Sequence, residues 1–133
     1  MANQRSGASR TYVACIADRI AGYYALSNGS VSNHLAPGSI RRNMPDPIPV
    51  MLFGRLAVDR DFQGLGVARA LLKDAAIRTA RASEIAGIRA LMVSALDDGA
   101  QFFYRKHGYL PSPVEPLMLF QPVSQILRDL ATP

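Results

Sequence analysis

The sequence predicts one α/β (α+β) domain, a mixed β-sheet with helices packed on it. Three observations carry this. Val50 to Val58 and Ile88 to Leu96 are nearly continuous apolar runs, as expected of central strands buried on both faces, with Arg55 the exception. Between them, Gly66 to Ala86 places Ala68, Leu71, Leu72, Ala75 and Thr79 on one helical stripe, with Arg69, Lys73, Arg78 and Arg81 off it. The whole chain reads β-β-β-α-β-α-β(-β)-α, with no internal repeat.

Taken in order, residues 1–10 are polar and predicted to fray, leaving 11–133 as the domain. Thr11 to Ile16 and Ile20 to Ser27 form an antiparallel hairpin through Ala17-Asp18-Arg19. Asn28 to Pro49 carries Pro37, Pro45, Pro47 and Pro49, which forbid a continuous helix or central strand and predict a long loop. Gly87 is placed to end the long helix. Asp97 and Asp98 open a short helix that Gly108 ends, their carboxylates suited to its positive N-terminus. Tyr109 to Gln121 holds two short extended pieces broken by prolines. Pro122 to Ala131 closes as a helix with Val123, Ile126, Leu127 and Leu130 on one face.

Composition narrows the function. At 133 residues, 49% hydrophobic and 19% charged, the chain supports one packed core and is not a disordered segment. No apolar run approaches the roughly 18 residues of a membrane span, and Met1 to Arg10 lacks the apolar centre of a signal peptide. One cysteine, Cys15, excludes an internal disulfide framework and suits a reducing cytoplasm. One cysteine and two distant histidines predict no metal site. The formal net charge is +5, and 13 of the 15 basic residues are arginine. Arginine pairs bidentately with phosphate, so an anionic partner fits, as does a plain solvated surface.

The stretch Leu56 to Leu72 reads as a strand end, a tight turn and a helix start. Gly64, Gly66 and Ala68 keep bulk away from that turn, and glycine permits the backbone that turns several N–H groups inward. At a helix N-terminus such amides favour an anion, and a diphosphate is the natural guest. A two-glycine turn also serves as plain punctuation. The stretch is not a dinucleotide fingerprint, since the third glycine and the following acidic residue are missing, and it lacks the Gly-Lys-Ser/Thr ending of a Walker loop.

Gln63, Gly66 and Ala68, following Leu-Ala-Val, resemble motif A of the GNAT-superfamily N-acetyltransferases, Gln/Arg-x-x-Gly-x-Gly/Ala. The resemblance implies acetyl-CoA as donor. Its pyrophosphate would rest on Gln63, Gly64, Leu65, Gly66, Val67, Ala68 and Arg69. Backbone groups of Leu56, Ala57 and Val58 would hold the pantetheine arm, and the Val58 amide would polarise the thioester oxygen. Arg69 and Lys73 would add phosphate contacts, unless they are ordinary solvated helix residues. The element order also resembles a GNAT fold, over roughly residues 11–121. It begins at the family's second strand, without the usual first strand and two helices, which leaves the acceptor side less defined than the coenzyme side. An uncovered inner strand and an apolar terminal helix predict a homodimer.

Ala100 to Tyr109 resembles the family segment Ala-x-x-Phe-Tyr-x-x-x-Gly-Phe/Tyr. The resemblance implies that Tyr104 is the general acid that protonates the leaving thiolate, while Phe103 and Tyr109 belong to the core. His107 and His34 are candidate bases, neither required, because an aminoacyl amine can lose its proton to water. Asp97 and Asp98 read first as helix caps.

Gly38 to Val50, with Gly22-Tyr23-Tyr24-Ala25-Leu26, Gly29-Ser30-Val31 and Arg55 to Asp59, resembles the tRNA-acetylating toxins of bacterial type II toxin–antitoxin modules, the TacT kind. That resemblance implies acetylation of the α-amine of aminoacyl-tRNA, a block of translation, and a ribbon-helix-helix antitoxin as partner. Arg41, Arg42, Arg78, Arg81 and Arg89 would then contact tRNA phosphates. The alternatives are an acetyltransferase for a small amine or protein N-terminus, and a non-catalytic fragment that binds acyl-CoA or an antitoxin.

Overall fold

The computed structural model describes residues 9–132. Of the predicted frayed tail, residues 1–8 lie outside the described residues, while Ser9 and Arg10 open the first strand. The strands are β1 (Ser9–Ile16), β2 (Arg19–Val31), β3 (Ile48–Val58), β4 (Ala90–Ser94), β5 (Leu110–Pro111) and β6 (Met118–Pro122). The helices are α1 (Gly38–Arg41), α2 (Val67–Ala86), α3 (Asp98–Lys106) and α4 (Val123–Ala131). The sheet order is β1-β2-β3-β4-β6-β5. Among the described residues only β3 and β4 pair in parallel, since α2 crosses over between them; the other pairs are antiparallel.

Each face of the sheet carries its own core. Ala21, Tyr24, Leu26, Phe53, Leu91, Val93 and Leu119 meet α2, α3 and α4 through Leu71, Leu72, Ala75, Tyr104 and Ile126. On the other face Val31, Ile48, Val50, Met92 and Phe120 are covered by Leu35, Ala36 and Ile40 of the β2–β3 connection. The predicted α2 stripe is buried at Leu71, Leu72, Ala75 and Thr79, and Thr79 satisfies its hydroxyl by donating to the Ala75 carbonyl at 2.8 Å. Gly87, at φ +68°, caps the helix in the left-handed region as expected.

Three expectations are corrected. The loop predicted over 28–49 is shorter: β2 runs on to Val31, and β3 begins at Ile48. Pro49 fits as the second residue of the strand, where its carbonyl accepts from the Arg89 amide at 2.9 Å. The apolar run Ile88 to Leu96 yields a strand of only Ala90–Ser94; Leu96 follows it and is 94% exposed. On α4, Val123 and Ile126 are buried, but Leu127 and Leu130 face outward.

Candidate acetyl-coenzyme A site

A fork in the sheet creates the site. The parallel ladder between β3 and β4 covers Val50 to Phe53 against Ala90 to Val93, and there it stops. Beyond Phe53, β3 is paired only with β2. A bulge sits at the same place: Tyr23 pairs with Ala57 and Ala25 with Gly54, so Arg55 and Leu56 both oppose Tyr24. Arg55 holds φ +58°, a left-handed conformation costly for a residue with a side chain. Past the bulge, the Asp59 amide donates to the Ala21 carbonyl at 2.8 Å. Backbone groups alternate sides along an antiparallel ladder, so Val58 turns its own N–H and C=O away from β2. Its carbonyl accepts from Gln63 Nε2 at 3.4 Å on that outer side.

The loop from β3 to α2 is tied down before it reaches its glycines. Asp59 accepts from the Asp61 amide at 2.8 Å, closing a 3-10 turn over Arg60–Phe62. Arg19, from the β1–β2 turn, donates to Asp61 at 2.8 Å and lies over the Phe62 ring at 4.9 Å. These groups are exposed, so the ion pair orders the loop more than it stabilises the fold. Gly64 and Gly66 then take φ +81° and +82°, which only glycine adopts freely. The first α2 turn bond is from the Ala70 amide to the Gly66 carbonyl, so the amides of Val67, Ala68 and Arg69 are left for a ligand. A Cβ at Gly66 would stand 3.7 Å from Arg69 Nη2, which places that guanidinium at the loop.

These parts enclose a cleft of about 330 Å³. Val58, Gln63, Gly64, Gly66, Val67, Ala68 and Arg69 line it. Leu56, Ala57 and Leu65 do not, and Leu65 is exposed on the outside of the loop. The far wall comes from α3: Phe103, Lys106 and His107. Phe103, expected in the core, is only half buried and turns to the cleft. The signal was available in the helical spacing of 103, 106 and 107, which puts the three on one face.

Tyr104 lies behind that wall, buried against Phe103 and Tyr109 at ring distances of 5.4 and 5.6 Å. Burial alone pushes its pKa up and keeps it a phenol. It is positioned by the cap of α3, where the Asp97 carboxylate accepts from the Ala100 amide at 2.8 Å. His107 spends Nδ1 on the Phe103 carbonyl at 2.8 Å. His34 is exposed on the β2–β3 connection. Gly22 carried no obvious signal beyond its place in a motif. A Cβ there would stand 2.8 Å from the Ala57 carbonyl oxygen, 3.0 Å from Leu71 Cδ1 and 3.1 Å from Val67 Cγ1. Its hydrogen lets the α2 N-terminus settle directly on the forked strand.

The five arginines are not brought together. Arg78 donates to Asp74 at 2.9 Å and stacks over Tyr12 at 3.9 Å. Asp74 also accepts from the Tyr24 hydroxyl. Burial would raise the Asp74 pKa, but these two donors outweigh it and hold the carboxylate below its usual value. Arg81 is exposed one turn further on. Arg41 and Arg42 precede β3 and Arg89 precedes β4, at the sheet end opposite the cleft; Arg42 and Arg89 border a hollow of about 620 Å³. Among the described residues no group of three or more His, Cys, Asp or Glu is arranged to hold a metal. No described helix is long and apolar enough to cross a membrane.

The family description "Acetyltransferase (GNAT) domain" matches residues 7–111. The chain belongs to the GNAT acetyltransferase family. A protein of Mycobacterium tuberculosis named "tRNA-acetylating toxin" is 49% identical over 119 residues, covering 90% of this chain and 72% of its own. The structure of AtaT complexed with acetyl-methionyl-tRNAfMet superposes with a TM-score of 0.85 at 31% identity, covering 92% of this chain and 76% of that one. AtaTR bound with AcCoA gives 0.76 at 32% identity, with 92% and 75% covered. In this GNAT domain the forked strand offers unpaired backbone, and the glycine loop offers free helix amides beside Arg69.

Proposed function

We propose that this acetyltransferase transfers the acetyl group of acetyl-CoA to the α-amine of aminoacyl-tRNA, and so acts as a translation-blocking toxin. The 49% identity to a tRNA-acetylating toxin carries the choice of acceptor. In the proposed reaction the amine nitrogen attacks the thioester carbonyl and forms the new C–N bond. The Val58 amide, turned away from β2, donates to the developing oxyanion. As the C–S bond breaks, Tyr104 gives its proton to the thiolate; the amine's proton passes to water, and water returns a proton to the tyrosinate. A phenol near pKa 10 and a thiol near 8.5 are mismatched in water. Burial holds Tyr104 as a phenol, and the proton moves as the C–S bond breaks, when charge builds on the sulfur.

The placement of the arginines supports a large acceptor. β3 is 11 residues long, which at about 3.3 Å per residue puts Arg41, Arg42 and Arg89 roughly 30 Å from Val58 at its other end. A ligand that uses both ends is as long as the domain, which suits a tRNA and not a small amine. Arg81 would join those contacts; Arg78, already paired, would add less. A ribbon-helix-helix antitoxin and a second copy of the chain are the partners this reading implies, the latter through exposed apolar residues such as Val13, Ile20 and Tyr23.

The test is a single-turnover assay with labelled acetyl-CoA and total charged tRNA, against uncharged tRNA. Label on charged tRNA alone supports the reading. Label on neither, with coenzyme binding intact, removes tRNA as the acceptor.

A further inference from the structure

β2 touches α2 at a second point, which no step of the proposed reaction uses. Side chains two apart on a strand share a face, and on β2 that face presents Gly22 and then Tyr24 to the helix. Gly22 lets the first turn of α2 settle on the fork. A helix seated at one point can still pivot. Tyr24 meets α2 at Asp74, seven residues after Val67, or about 10 Å along the axis at 1.5 Å per residue. There its hydroxyl donates to the Asp74 carboxylate, which Arg78 also engages at 2.9 Å. Tyr24, Tyr104 and Tyr109 are all buried. The Tyr109 hydroxyl has no partner, whereas that of Tyr24 is tied to a carboxylate on the helix that carries the loop amides.

Tyr24 is also the residue around which β3 bulges, since Arg55 and Leu56 both oppose it. Its ring lies between Tyr12 at 5.4 Å and Phe53 at 5.2 Å, and Arg78 covers Tyr12 at 3.9 Å. Phe53 is the last β3 residue paired with β4, so the stack starts where the fork opens. Burial first, and then the bond to Asp74, push the Tyr24 pKa up, so the hydroxyl stays a donor. We propose that Tyr24 and Asp74 are positioning residues for the donor: their bond fixes how far the fork stands from the start of α2. The proposal rests on the acetyl-CoA reading of the cleft. The Val58 amide belongs to the fork, and the free amides of Val67, Ala68 and Arg69 belong to the helix. One coenzyme gains from both sets only when their separation matches the span of its arm. A bond that merely held the fold together would weaken every ligand of the cleft alike.

Calorimetry on the full chain with coenzyme A, and with its 3′-phospho-ADP half that lacks the pantetheine arm, separates these roles. Tyr24→Phe keeps the ring in its stack and leaves Asp74 bonded to Arg78, so the fold is retained. It is expected to bind coenzyme A about tenfold more weakly and the arm-free half as wild type does. Asp74→Ala should show the same split, and the double variant no larger one, because both changes break one bond. Equal losses for the two ligands would reduce the pair to a fold contact and overturn the proposal. Unchanged coenzyme A affinity in Tyr24→Phe would overturn it as well. If the wild type binds neither ligand, the acetyl-CoA reading itself falls, and this proposal with it.

Discussion

Gly22→Ala is the substitution whose cost can be worked most directly from the coordinates. Gly22 does not occupy the left-handed region, so the change carries no dihedral strain. What it adds is a methyl group 2.8 Å from the Ala57 carbonyl oxygen, closer than side-chain carbons come to backbone oxygen. Leu71 and Val67 can rotate away; a β3 carbonyl cannot. Overpacking of this kind costs about 1–3 kcal/mol. At roughly 4 °C per kcal/mol for a domain of this size, the melting temperature should fall by about 4–12 °C. The functional effect should exceed the stability effect. Ala57 adjoins Val58, and Val67 opens α2, so relief of the clash moves the strand amide and the phosphate loop apart. Calorimetric titration at a temperature where the variant is fully folded should show acetyl-CoA affinity reduced tenfold or more. Gly54→Ala is the control, because its Cβ would meet nothing within 4 Å. A Gly22→Ala protein that melts and binds like wild type would refute the claim that helix and fork are seated through this one hydrogen.

Four further outcomes are expected. Tyr104→Phe should keep coenzyme affinity and lower kcat by about 10²–10⁴-fold, the usual worth of a general acid; unchanged single-turnover rates would remove it from the mechanism. Gly66→Glu puts bulk, strain at φ +82° and a negative charge beside the proposed diphosphate, so calorimetry should detect no coenzyme binding. Asp97→Ala removes the cap of α3 and should cost about 1 kcal/mol in urea unfolding, with a larger relative loss in kcat because α3 carries Tyr104. Tyr24, Tyr104 and Tyr109 all have pKa values raised by burial. The unfolded chain therefore releases these protons first, and stability, fully present below about pH 10, should decline as pH rises beyond it. Tyr109→Phe should flatten that decline; an equal slope in the variant would show that Tyr109 does not contribute to it.

The glycine loop and the helices α2 and α3 were legible because their signals are local. Two glycines needing positive φ, a helix stripe with period 3.6 and a capping Asp97 are all written within a few residues. The strand run that overshot to Leu96 shows the limit of apolar patterning: hydrophobicity marks what could be buried, and the turn into α3 left Leu96 outside. Gly22 and Arg19 act on the loop from some 40 residues away in sequence, through register and approach distances that no window contains. The loop prolines misled in the opposite direction. Pro49 was read as a strand breaker, yet a strand tolerates proline near its start, where a missing N–H leaves no ladder bond unmade. The unpartnered Tyr109 hydroxyl could not be foreseen at all, since an aromatic residue after a helix-ending glycine has every appearance of core.

The fork between β3 and β4 leaves one side of the β3 backbone past Phe53 without a strand partner, inside the sheet and not at its rim, where charged residues and bulges ordinarily guard an edge. A donor lying in the gap would serve as the absent strand, so saturating coenzyme should slow amide exchange along β3 as well as raise the melting temperature, by RT ln(1 + [L]/Kd).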